Sequence, residues 1–117
     1  MPASGQQNQS FVRNQDYFRD VIALSEVLGK AHAIRIVCNG RNDQYWRSYM
    51  QRLLELEAGY GGGLRTSMAN GFNAGYSTTE SQYPICTQEA VAAEKSFAAS
   101  GQVLASRLAA ANIPSGR

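Results

Sequence analysis

Four stretches of the chain repeat apolar side chains at three- and four-residue steps, and glycine, asparagine or proline interrupts the pattern between them. The first runs through Tyr17, Val21, Leu24, Leu28 and Ala31, with Phe18, Ile22 and Ser25 beside them. It predicts a helix over 15–37, with Asn14 as its N-cap and Asp16 and Asp20 at the positive end of its dipole. Gly29 inside it is either a weak point or a site of close packing. Asn39-Gly40 ends it, with Cys38 in the last turn. The second stretch follows Asn42 or Asp43, either of which can cap it, and is the cleanest amphipathic pattern of the four. Trp46, Tyr49, Met50, Leu53, Leu54 and Leu56 fill one half of the wheel and Arg47, Ser48, Gln51, Arg52 and Glu55 the other, up to Gly59.

The third stretch, 64–76, sets Leu64, Met68, Gly71, Phe72 and Gly75 on one side and Thr66, Asn70 and Asn73 opposite. Two glycines four apart on the apolar side predict close approach of another backbone. Residues 77–85 read as a polar loop closed by Tyr83-Pro84, a dipeptide that resists helix. The fourth stretch begins after Cys86, with Thr87 as cap and Glu89 in the first turn. Its stripe is Ala90, Phe97, Gly101, Leu104 and Leu108, widened by Ala98 and Ala105, and it ends near Ala111 ahead of Pro114. No segment alternates with period two, so the fold expected is all-α, a single-domain four-helix arrangement. Residues 1–13 are expected to be a flexible tail, 14–112 the helical domain and 113–117 a flexible end.

At 117 residues the chain is one domain long enough for a core, and 44% hydrophobic against 17% charged residues is a globular composition. The net charge of +2 is small, and the eleven basic residues, all arginine but for Lys30 and Lys95, are scattered rather than striped. No nucleic-acid partner is therefore expected, and no run approaches the ~20 apolar residues of a membrane span. The polar start MPASGQQNQS carries no apolar signal region. It fits a cytosolic start or the mature form of an exported protein.

Cys38 and Cys86 are the two cysteines, and composition alone fits either a disulfide or two separate thiols. Their placement favours the bond. Cys38 closes the first helix and Cys86 opens the fourth, so a bond would return the fourth helix antiparallel along the first. Closing a 48-residue span stabilises a fold by ~4 kcal/mol in the chain-entropy model. An oxidising compartment follows, hence export or a periplasm.

Other residues add a resemblance. Tyr17-Phe18 opening the first helix, the His32…Arg35…Cys38 spacing, Trp46-Arg47, Gly71-Phe72-Asn73-Ala74-Gly75-Tyr76 and Cys86-Thr87 before an alanine-rich helix occur together. Over about 17–108 the chain resembles a family of small, signal-peptide-bearing alphaproteobacterial proteins whose domain has no assigned function. The resemblance implies export and supports pairing of the cysteines. It supplies no catalytic residues, and the missing signal peptide departs from it unless this is the mature form.

Three polar residues sit oddly. His32 and Arg35 lie on the apolar side of the first helix and Glu94 in the stripe of the fourth, where a charge is costly unless paired. If the disulfide sets the register, they lie about 9, 4.5 and 12 Å along their helices from it, so all three can meet. One reading is a structural Glu94–Arg35 pair with His32 hydrogen-bonded nearby; the other is a polar ligand pocket or proton-transfer site. Tyr45, Tyr60, Arg65, Asn70, Asn73 and Tyr76 form a second candidate, an amphipathic surface for a protein or glycan partner, against the plainer role of capping the core rim.

The rest of the chemistry is thin. The Gly59-Tyr60-Gly61-Gly62-Gly63 run follows a helix and lacks the phosphate-loop pattern. His32 and Cys38 fall on different sides of their helix, and a His32–Cys86 dyad needs a reduced Cys86. One histidine and two cysteines offer no zinc spacing, no cofactor motif appears, and no serine has a paired base. Glu55 and Glu57 do not face each other. The expected function is that of an exported, non-enzymatic protein binding a protein or other cell-envelope component. The alternatives are a small enzyme or ligand binder using His32, Arg35 and Glu94, and then a helical nucleic-acid binder.

Overall fold

The computed structural model of the protein describes residues 2–112, with side chains from 15 to 111. Among the described residues four helices follow one another: α1 (Pro2–Asn39), α2 (Tyr45–Ala58), α3 (Gly63–Gln82) and α4 (Gln88–Asn112). α1 begins upstream of the expected Asn14 cap, which becomes an interior position, and residues 2–13 of the expected tail lie within this helix. The expected C-terminal end, 113–117, lies outside the described residues.

Local chemistry sets the ends of the helices. Gly40 stops α1 at a φ of 97° while its N–H bonds the Ile36 carbonyl at 2.8 Å, a left-handed exit that glycine adopts without strain. Asp43 Oδ1 accepts the Tyr45 N–H at 3.1 Å at the start of α2. Thr87 Oγ1 accepts the Ala90 N–H at 3.1 Å, the expected cap of α4. α3 departs from expectation, because residues 77–82 continue the helix instead of forming a loop. The buried positions Met68, Phe72, Gly75 and Thr79 keep a helical period, but the last of them is polar and interrupts the apolar pattern. Pro84 still enforces the stop, with the Tyr83 N–H closing on the Thr79 carbonyl.

The helices alternate in direction. Along α1 and α4, Arg35 faces Glu94, Lys30 lies over the Phe97 ring, Leu24 and Val27 meet Gly101, and Asp20 faces Arg107, so the two run antiparallel. Tyr17 at one end of α1 donates to Glu57 near the end of α2, while Arg35 at the other lies over the Tyr45 ring, again antiparallel. Along α3, Ile22 meets Gly71, Glu26 meets Gly75 and His32 meets Tyr76, so α3 is parallel to α1. α1 is the hub: it packs on all three others, α2 also touches α3, and α4 packs chiefly on α1 while Glu94 reaches Trp46 of α2. Its middle is accordingly buried on most sides, with Val21, Leu24, Leu28, Ala31, Ala33 and Ile34 in the interior.

The α1–α3 contact is closest where three glycines remove side chains. A Cβ on Gly29 would collide with the Phe72 carbonyl, and one on Gly75 with the Glu26 carbonyl. One on Gly71 would stand 3.3 Å from the Ile22 carbonyl. The expected backbone approach is therefore to α1, and Gly29 is its counterpart rather than a weak point. The Cys38–Cys86 disulfide joins the end of α1 to the start of α4 across a Cα separation of 4.8 Å.

Alanine substitution separates these roles. Gly29→Ala and Gly75→Ala are expected to cost at least about 1–3 kcal/mol, since backbone must move to admit the methyl group. Gly63→Ala, at an open position in the first turn of α3, is expected to be neutral or stabilising by about 0.4–1 kcal/mol. Urea unfolding of the three variants measures both; equal effects would deny the close approach.

Candidate functional site: two polar clusters on α1

Successive turns of α1 point polar side chains in two directions. Toward α2 and α4, Arg35 Nε donates to Asp43 Oδ2 at 2.8 Å, and Arg35 makes a looser ion pair with Glu94 Oε2 at 3.6 Å. Trp46 Nε1 donates to the same Glu94 oxygen at 2.9 Å, and Asn39 Nδ2 donates to Asp43 Oδ2 at 2.7 Å. The Arg35 guanidinium also stacks over the Tyr45 ring, 4.8 Å from its centre. Burial pushes the Asp43 carboxyl up, but the bonds from Asn39 and the Tyr45 N–H, with the Arg35 charge, outweigh it and leave its pKa below the ordinary value.

His32 takes no part in this network. Its ring lies on the α3 side, 5.6 Å from the Phe72 ring and 5.5 Å from the Tyr76 ring, and it is 95% buried with Nδ1 unpartnered among the described residues. Of the three residues expected to meet, Arg35 and Glu94 do and His32 does not. The 60° that separates positions 32 and 35 on the wheel is enough to send them into different interfaces once α2, α3 and α4 divide the circumference of α1. Burial, then the nearby Arg47 charge, lower the His32 pKa, opposed by Asp43.

Around His32 a cleft of about 270 Å³ opens between α2 and α3, lined also by Arg41, Gln44, Arg47, Phe72, Asn73 and Tyr76. It continues into a second hollow of about 250 Å³ that shares Arg47, Phe72 and Asn73 and extends to Arg65 and Leu54. Neither hollow is lined by an acidic side chain. Burial and then the neighbouring Glu80 raise the Tyr76 pKa against the pull of Arg41. Arg65 at the far end donates to the Ala58 carbonyl at 3.3 Å.

The expected partner surface is thus divided. Asn73 and Tyr76 line the cleft, Arg65 stands at its outer end, Asn70 is exposed on α3, Tyr60 projects fully into solvent and Tyr45 lies across α1 beside Arg35. Tyr45, Trp46 and Tyr49 instead border a separate groove of about 240 Å³ over Val27 and Leu28, facing Phe97. Sequence reasoning missed Arg41 and Arg47. Arg47 sits on the polar half of the α2 wheel, and nothing in that pattern reports which polar positions face α3. Among the described residues no three His, Cys, Asp or Glu side chains gather closely enough to hold a metal ion.

Comparison with known proteins adds one broad fact. A family model described as "Protein of unknown function (DUF2385)" matches residues 16–112. No curated protein and no solved structure matches.

Two measurements check these clusters. The unfolded imidazole takes up a proton below about pH 6.5 that folded His32 resists, so stability should fall as pH drops from there toward the lowered folded value and level off beneath it. Urea midpoints between pH 7.5 and 5.5 should show this slope, and His32→Gln should remove it; an unchanged slope would place its source elsewhere. Glu94→Gln is expected to cost only about 0.2–1 kcal/mol, because Arg35 keeps Asp43 as its closer partner and both side chains are partly exposed. Equilibrium unfolding of that variant reads the difference.

Proposed function

Because the chain belongs to the family of unknown function DUF2385, whose description assigns it no activity, we propose a function from its own geometry. It is an exported, non-enzymatic helical protein that works by binding a component of the cell envelope. The observation that carries the binding reading is the α2/α3 cleft, a preformed hollow with buried His32 in its lining and arginines along its length. The disulfide supports the compartment, since such bonds persist where the surroundings are oxidising. No described helix is long and apolar enough to cross a membrane. An enzyme using His32, Arg35 and Glu94 as one cluster is not favoured, because the imidazole and the ion pair occupy different interfaces of α1.

Protein isolated from its source cells should fractionate with the envelope and gain the mass of two hydrogens on reduction. Its retention by the envelope fraction should fall for Asn73→Trp, which fills the cleft where the two hollows join, and persist for Arg107→Gln on the α4 side. Free thiols in native protein, or retention indifferent to Asn73, would overturn the proposal.

A further inference from the structure

The inner end of the cleft has a chemical character that narrows what it binds. It is lined by Arg41, Arg47, Asn73 and Tyr76, with His32 beside them. Among the described residues neither Arg41 nor Arg47 makes a salt bridge, whereas Arg19, Arg35 and Arg107 each do. Two acidic groups lie close, and neither lines the hollow. Asp43 is held by Arg35, Asn39 and the Tyr45 N–H, and Glu80 lies near Tyr76 outside the lining of the hollow. The two arginines therefore bring positive charge, not tied up in ion pairs among the described residues, to a concave site that no acidic side chain lines.

Burial supplies the second observation. His32 is 95% buried with Nδ1 unpartnered, and polar atoms removed from water to that extent ordinarily have a partner. The hollow it borders is about 270 Å³, against ~30 Å³ for one water molecule, so it has room for a polyatomic ion. Guanidinium forks match the planar or tetrahedral oxygens of such ions with two parallel hydrogen bonds.

Resting on the binding reading above, we infer that the His32 end of the α2/α3 cleft is an oxyanion site, taking a carboxylate or phosphate group of the ligand with Arg41 and Arg47 as its cationic donors. The rest of an extended ligand then runs past Asn73 toward Arg65.

The single histidine of the chain is a built-in reporter. Inorganic phosphate and succinate, titrated separately into the intact oxidised protein, should shift the His32 ring resonances saturably, and sodium chloride at matched ionic strength should not. The tighter of the two identifies phosphate or carboxylate as the group preferred. Arg41→Gln and Arg47→Gln should each weaken binding about tenfold or more, the loss of a charge-assisted hydrogen bond. Arg52→Gln, whose guanidinium lies over the Tyr49 ring away from the cleft, should bind as the parent does. Circular-dichroism melts of all three variants verify folding. Shifts that chloride reproduces, or that survive both cleft variants, overturn the assignment. If His32 responds to solubilised envelope material but to neither anion, the oxyanion site is overturned and the binding reading stands; no response to any of them overturns both.

Discussion

The tertiary structure depends on how closely α3 can lie against α1. Gly29, Gly71 and Gly75 let the two backbones approach until carbonyl oxygens occupy the space of missing side chains. Contacts at that range engage many atoms at once, and dispersion gains accumulate steeply with proximity. The approach also brings Met68 and Phe72 into the buried cluster that α1 supplies with Val21, Leu24 and Leu28. A parallel helix pair cannot be joined by a short turn, so α2 must carry the chain back before α3 begins. The two glycine-rich turns at Gly40 and Gly61-Gly62, each with positive φ, make those reversals possible.

α4 is held differently. Its backbone packs against α1, with the Trp46–Glu94 hydrogen bond reaching α2, so its position rests mainly on one interface and on the covalent bond at one end of it. The disulfide fixes the translation of α4 along α1, and the pairs Arg35–Glu94, Lys30–Phe97 and Asp20–Arg107 follow in step from that single constraint. The ion pairs are partly exposed and contribute little each. Their value is in register: a shift of one turn would leave Glu94 without Arg35 and Trp46 together.

Packing three helices around one leaves seams, and the seams differ in character. Between α2 and α4 the floor is apolar and the rim aromatic; between α2 and α3 the lining is polar and cationic. The difference traces to α1, which turns Val27 and Leu28 toward the first seam and His32 toward the second. A protein whose helices are fixed by glycine contact at one side and a disulfide at the other keeps such hollows open at small conformational cost, which favours recognition by a preformed surface.

Local signals that depend on neighbouring residues were legible in the chain. The four helices, the Gly40 stop, the Thr87 cap, the Pro84 break and the glycine spacing of α3 each rest on propensity or periodicity within a few positions. The cysteine pairing was legible because both residues fall at helix ends where a bond has mechanical use. The extension of α3 over 77–82 was not, since a buried Thr79 looks like a loop residue until α1 covers it.

The site was readable only in part. Periodicity places His32, Arg35 and Glu94 off the solvent face, and the cysteine register brings Arg35 to Glu94. Which helix each polar side chain meets is a matter of angle around α1, and a turn of 60° is below what a hydrophobic pattern resolves. The amino-acid sequence by itself determined the helices, their ends and the covalent link between α1 and α4, because these follow from local sterics and bond chemistry. Only the tertiary structure separated His32 from the Arg35–Glu94 pair and gathered Arg41, Arg47 and Tyr76 around it, because those distances are set by how three helices share the circumference of a fourth.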